Sequence, residues 1–304
     1  MINDILVARD FSTSSDRALQ SALQWAELLD ATVHLLAVQV TNDNPFAPAE
    51  QRSGPLERLR TRLKSRTQSD MAESGYDPGS VAVKHEVQRG EAAGPAIVRY
   101  AKRAGIDLIM MGTTGRRGMS RAFMGSVAEE VVRTAPCPVC TVRAGSDMLA
   151  PERPRRLVVP VDFSEPSRMA LAYGVRLAKR FNTSVALLHA IENPSIPLVY
   201  GSGTPVDPPE GLGERVEAGL LNWFQEVTPE GMETPAHEVL VRTSAPGKAI
   251  RQEASRKGDV VLMATEGRTG MERMVLGSVA ESVLRRAEGP VITARSFEAA
   301  LLPK

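Results

Sequence analysis

Two repeated glycine-bearing segments hold the residues best suited to chemistry. Met111-Gly-Thr-Thr-Gly-Arg-Arg-Gly-Met recurs as Met263-Ala-Thr-Glu-Gly-Arg-Thr-Gly-Met. The first runs on to give the spacing Gly112-x2-Gly115-x9-Gly125-Ser126. Such a segment, leaving a strand and entering a helix, suits an anion. Glycines admit a phosphate closely and tolerate positive φ. Successive amides can form a nest, and a helix start offers unpaired N–H groups at the positive end of its dipole. Ser126 adds a hydroxyl, while Arg116, Arg117 and Arg121 add positive charge. A tight turn with packing glycines and solvated arginines satisfies the same pattern. Asp10-Phe11-Ser12 and Asp162-Phe163-Ser164 form a second repeated pair. Each aspartate stands between a strand and a Ser/Thr-rich helix start, where it can meet a ligand, support a helix cap, or both.

Other suggestive residues carry less. Cys137-Pro-Val-Cys140 has the spacing of a redox motif. That chemistry needs a strand before and a helix after, and here the order is reversed. Residues three apart in extended chain also point to opposite faces. The second half has Gly289 and Ile292 there, so both cysteines read as small apolar residues. His85-Glu86 and His237-Glu238 lack the second histidine of a zinc helix. His34 and His189 fall on or at the end of the second strand of each half, and surface or half-buried places are expected. The charged helix around residues 56–71 reads as a solvated face, and nucleic-acid binding is not expected of it. No G-x4-G-K-[ST] loop, G-x-S-x-G elbow or kinase motif set occurs, so no dedicated hydrolytic centre is legible.

The elements that must position these residues come in duplicate. The offset is 152 residues (Met111 to Met263), and Asp10-Phe-Ser, His85-Glu-Val and Gly125-Ser-Val-Ala-Glu keep it. With 304 residues, the chain is one unit written twice. Residues 1–144 form the first domain, 145–154 a Gly/Pro-bearing linker and 155–304 the second. In the first unit, strands are expected at residues 5–8, 33–40, 81–87, 107–111 and 139–143. Helices are expected at 14–29, 56–73, 93–103 and 125–133, with Gly105 as a C-cap. The second unit repeats this with a longer loop over 192–213. Alternating strands and helices predict a parallel, doubly wound α/β sheet in each unit. Ligands of such sheets sit at the strand carboxyl ends near the switch point.

Composition bounds the partners. Lys+Arg number 37 and Asp+Glu 36, a net charge of +1. That near-balance argues against coating nucleic acid or an anionic membrane. No apolar run approaches the roughly 20 residues of a membrane helix. Met1-Ile2-Asn3-Asp4 does not begin a signal peptide, and two cysteines make no disulfide framework. A cytoplasmic protein is expected.

Taken together, the G-x2-G-x9-G-[S/T] spacing, the strand followed by Asp-Phe-Ser, and the ending Ala135-Pro-Cys-Pro-Val139 resemble the universal stress protein family, in both halves. The resemblance implies two tandem five-stranded parallel α/β sandwich domains, Rossmann-like or flavodoxin-like, pseudo-twofold related and paired through their last strands. It also implies ATP as ligand, with or without Mg2+, in members keeping the full glycine motif. Carried over, Ala8, Arg9 and Asp10 close the first strand near ribose and adenine, and Val38 meets the adenine. Met111, Gly112, Thr113, Gly115, Arg116, Gly125, Ser126 and Val127 surround the phosphates. The second-half positions are Pro160, Val161, Asp162, Ala190, Met263, Ala264, Thr265, Gly267, Arg268, Gly277, Ser278 and Val279. Arg9 stands where the family often has a small or apolar residue; it either reaches a phosphate or crowds the pocket. Ala264 replaces the first glycine and Glu266 enters the loop, so tighter ATP binding is expected in the first domain. A positive φ at Ala264 would cost on the order of 1 kcal/mol. The implied role is a nucleotide-binding stress-response module rather than a dedicated enzyme. A slow ATPase, or a nucleotide-independent protein that docks on an unidentified partner, are the other readings, and a homodimer stays open.

Overall fold

The apolar runs of the sequence form strands, and the amphipathic stretches between them cover both faces of the sheet they build. The computed structural model describes residues 2–40, 56–73, 75–76, 79–113, 124–143, 153–192, 195–198, 201–205, 209–267, 276–297 and 300. The first half runs β1 (Asp4–Arg9), α1 (Thr13–Leu29), β2 (Thr32–Val40), α2 (Leu56–Glu73), β3 (Val83–Gly90), α3 (Ala93–Ala104), β4 (Leu108–Gly112), α4 (Ser126–Thr134) and β5 (Val139–Val142). The second runs β6 (Arg156–Pro160), α5 (Glu165–Phe181), β7 (Ser184–Ile191), β8 (Ser195–Leu198), β9 (Gly201–Pro205), α6 (Leu212–Val227), β10 (His237–Thr243), α7 (Pro246–Glu253), β11 (Asp259–Ala264), α8 (Ser278–Arg286) and β12 (Val291–Ala294).

Ten strands form one sheet in the order β10-β7-β6-β11-β12-β5-β4-β1-β2-β3. Within each half all neighbours are parallel. The halves join antiparallel, with Thr141 opposite Val291 and Cys140 opposite Ile292. The order reads alike from both ends, so the last strands pair as implied and the halves are related by an internal twofold. Successive strand residues feed opposite faces. Ile5 and Val7 join a core under α1, α2, α5 and α6. Leu6 and Leu36 join the core under α3, α4, α7 and α8. The first core crosses the seam: Trp25 and Phe181 meet edge to face at 4.9 Å, and Arg180 Nη2 donates to Leu29 O at 2.9 Å. Such ring pairs add about 0.5–1.5 kcal/mol beyond their burial.

Several details differ from the sequence reading. The third strand ends later, at Gly90, because pairing with β2 continues to Val40 opposite Gly90, past the apolar run. The long loop of the second half contains an antiparallel ribbon, β8 with β9. His34 is buried, not half-buried: Asp4 Oδ1 lies 2.9 Å from its Nε2 and the Tyr100 hydroxyl 2.8 Å from its Nδ1. Two partners satisfy both ring nitrogens, which is what lets an imidazole enter a core. Gly105 caps α3 at φ 64°, as expected. Cys140 lies in the buried seam strand, and burial pushes its thiol up to about 12, far from a reactive thiolate. Among the described residues no helix is long and apolar enough to cross a membrane.

Candidate functional site

In each half the chain reverses its direction across the sheet between the first and fourth strands, and β1 and β4 are neighbours. In doubly wound sheets ligands bind at the carboxyl ends beside such a switch point. Asp10 follows β1, and Gly112 ends β4. Asp162 and Ala264 hold the matching places after β6 and in β11.

The Asp-Phe-Ser turn is the best-defined part of the site. Asp10 Oδ1 accepts from the Ser12 amide at 3.0 Å and from its hydroxyl at 2.5 Å. Ser12 Oγ in turn accepts from Ser15 N and caps α1. Asp162, Ser164 and Ser167 repeat the arrangement at the start of α5. The capping role of both aspartates is therefore present. Between aspartate and serine the backbone is left-handed: Phe11 has φ 62° and Phe163 φ 61°. For a bulky residue this costs roughly 1–2 kcal/mol, and strain of this kind persists only where the surroundings over-determine it. No sequence signal marks it, since phenylalanine is a poor choice for that region.

The helices after the glycine segments start differently. Gly125 and Gly277 are the N-cap residues of α4 and α8, and neither end has a side-chain cap. The Gly125 amide is already engaged by Thr113 O at 2.7 Å, and the Gly277 amide by Thr265 O at 2.9 Å. The Ser126, Val127, Ser278 and Val279 amides precede the first intrahelical bonds, made by Glu129 N to Gly125 O and by Glu281 N to Gly277 O. Thr113 and Thr265 are buried, tied to Val142 O and Ala294 O through their amides. Met111 and Met263 are buried in β4 and β11, and Ala8, Val38, Pro160 and Ala190 are half-buried on β1, β2, β6 and β7. In the second half the two sequence motifs touch: a Cβ on Gly267 would stand 2.8 Å from Asp162 Oδ2. Gly115, Arg116, Arg117, Arg121 and Arg268 lie outside the described residues.

Three expectations need correction. Gly112 does not have positive φ, and neither does Ala264, so the condition for a backbone penalty at Ala264 is not met. Gly112 is required by packing: a Cβ there would lie 2.5 Å from Ser14 Cβ and 2.8 Å from its carbonyl carbon. Arg9 neither reaches the crevice amides nor crowds the pocket. Its fully buried side chain turns to the face under α1 and α2, pairing with Asp16 at 2.8 Å and Asp70 at 2.7 Å. Arg66 bridges the same two carboxylates at 3.5 and 3.0 Å. Desolvation raises the Asp70 carboxyl above the usual range, against the pull of Arg9. An arginine inside an apolar strand was the available signal, because a buried guanidinium demands carboxylates nearby. The second half has buried Val161 there, and Phe163 packs instead against His189 and Trp223, each at 5.2 Å.

Comparison with known proteins agrees with this architecture. The sequence profile described as the universal stress protein family matches residues 1–143 and 154–295. A universal stress protein of Mycobacterium tuberculosis is 29% identical over 204 residues, covering 66% of this chain; the chain spans 65% of that relative's length. A universal stress protein of Mycolicibacterium smegmatis is 26% identical over 296 residues, covering 96% of each chain. The crystal structure of a universal stress protein from Archaeoglobus fulgidus superposes with a TM-score of 0.68 at 19% identity, covering 97% of this chain and 99% of that one, which is a likeness of fold. With both halves matched by the profile and one continuous sheet joining them, the chain belongs to the universal stress protein family as a tandem, two-domain member.

Proposed function

We propose that the protein binds an adenine nucleotide, ATP in the first instance, at the carboxyl edge of each half, and acts through binding rather than turnover. The observation that carries this reading is the contrast between neighbouring helix starts. The α1 and α5 ends are closed by serine caps, whereas α4 and α8, which follow the glycine segments, begin with no side-chain cap beside the Asp-Phe-Ser turn. An uncapped helix start presents N–H donors and a positive dipole end to a phosphate. Asp10 and Asp162, held by their serines, stand at the same edge for the ribose and base. The chain's own residues supply binding and orientation, and a Mg2+ carried by the nucleotide would offset phosphate charge.

The first half is the tighter site. Glu266, half-buried, places a carboxylate next to the second-half segment where the first half has Thr114. A negative group there repels a phosphate. The test is nucleotide analysis of the purified, acid-precipitated chain together with thermal melting in ATP. Bound adenine nucleotide, or a melting temperature that rises with ATP, supports the reading. No nucleotide and no shift at millimolar ATP would leave a nucleotide-independent interaction protein. Glu266→Thr is expected to strengthen the second site alone. ATP turnover well above background, abolished in Asp10→Ala, would replace a binding module with an ATPase.

A further inference from the structure

Among the described residues, Arg9 is a buried cation next to the candidate site that nucleotide binding does not use. It immediately precedes Asp10, and its side chain is fully buried. Asp16 comes from α1, Asp70 from α2, and Arg66 of α2 ties the two carboxylates together. A second α2 arginine, Arg62, lies over the Phe11 ring at 4.5 Å, with Arg9 itself 5.8 Å from the ring centre. The strained Phe11 is thus enclosed by charge on the side of α1 and α2. The second half holds the equivalent Phe163 by different means: Val161 replaces the arginine, and His189, Trp223 and Gly219 close around the ring. The same left-handed turn is held by ion pairs in one half and by ring packing in the other.

We infer that Arg9 is a positioning residue for the first ligand site: clamped between Asp16 and Asp70, it holds the Asp10-Phe11-Ser12 turn in its left-handed form and makes that site depend on α2 through ion pairs, where the second site depends on α6 through ring packing. The inference rests on the nucleotide reading for its consequence, but not for its geometry. A buried guanidinium fixed by carboxylates from two helices cannot shift without leaving charges unpaired. Position 9 therefore pins the chain one residue before the ligand aspartate. Without it, Phe11 loses one of the two cations on that face, and relaxation to ordinary backbone would swing the Asp10 carboxylate away from Ser12.

The experiment uses the full chain and reads both halves at once. Arg9→Met with Asp70→Asn removes the clamp while keeping apolar volume and leaving Asp16 paired with Arg66. Backbone amide exchange by NMR then reports Ser12, with Ser164 as the internal control. ATP titration followed at the Ser126 and Val127 amides reports the first site, and at Ser278 and Val279 the second. Expected are exchange at Ser12 faster by about tenfold and a first-site ATP requirement higher by about tenfold, with Ser164 and the second site unchanged and Arg9→Lys recovering most of both. A folded double variant with Ser12 exchange and first-site titration like the unmodified chain overturns the inference. If the double variant does not fold, Asp70→Asn alone must still speed Ser12 exchange; unaltered exchange there overturns it equally. An unmodified chain that shows no ATP-dependent change in either half overturns the nucleotide reading, while the Ser12 measurement still decides the role of Arg9.

Discussion

Asp162 and Gly267, far apart in the chain, meet at the carboxyl edge of the second half, where a Cβ on Gly267 would sit 2.8 Å from Asp162 Oδ2. Glycine here is a matter of space for a carboxylate. Gly267→Val is expected to push Asp162 off its serine partners and weaken ATP at the second site by about tenfold or more, a scale of 1.4 kcal/mol. The first site should be unaffected. Calorimetry resolving two sites checks this, and an unchanged second site would break the link between the two motifs.

Gly112 makes a different prediction. Its missing Cβ is demanded by Ser14 at the start of α1, including a backbone atom that cannot turn aside. Gly112→Ala should cost about 1–3 kcal/mol of stability, the usual range for overpacking. The loss should appear in urea unfolding without any nucleotide. The reverse change, Ala264→Gly, should cost about 1 kcal/mol or less, from backbone entropy alone.

Much of this was legible in advance because the chain states it twice. Repetition at a fixed offset located the halves, and alternating apolar runs located the strands, since burial of both sheet faces leaves few other patterns. What stayed hidden depends on contacts between elements. Gly112 is glycine because of what α1 places against it, not because of its own φ. The sequence leaves Arg9 either reaching a phosphate or crowding the pocket, because it shows charge but not which sheet face the side chain joins. Its partners Asp16 and Asp70 sit on two different helices, and α2, otherwise a solvated helix with only Leu63, Thr67 and Met71 buried, turns Asp70 inward. The left-handed Phe11 and Phe163 had no signal at all.

Arg156 anchors the opposite edge of the second half. Its guanidinium is bound by Asp259 at 2.9 and 3.1 Å and by Glu238, and it also donates to Glu253 O at 2.6 Å. The Asp259 side chain is completely buried. Arg156→Met should leave that carboxylate unpaired and cost about 3–5 kcal/mol. Arg156→Met with Asp259→Leu should recover most of the loss, because two apolar groups replace a desolvated pair. Chemical unfolding of the three chains checks it; equal losses in the single and double variants would contradict the ion-pair account.

His85 sets an acid limit. It lies on β3, its Nε2 is buried with no hydrogen-bond partner, and burial, aided by nearby Lys64, lowers its pKa below the usual 6.5. The folded state therefore prefers the neutral ring more than the unfolded state does. Above the unfolded pKa both states are neutral and the residue contributes no pH dependence. As pH falls from about 6.5 towards the lower folded value, the unfolded chain takes up the proton first and stability declines. Asp70 acts in the opposite sense: with a raised carboxyl pKa, its burial penalty is relieved as acid protonates it in the folded chain. Urea midpoints measured from pH 7.5 to 5.5 should fall in the unmodified chain and fall less in His85→Gln. A slope that is the same in both would place the acid sensitivity elsewhere. Asp70→Asn, which removes the opposing term, should leave the decline intact.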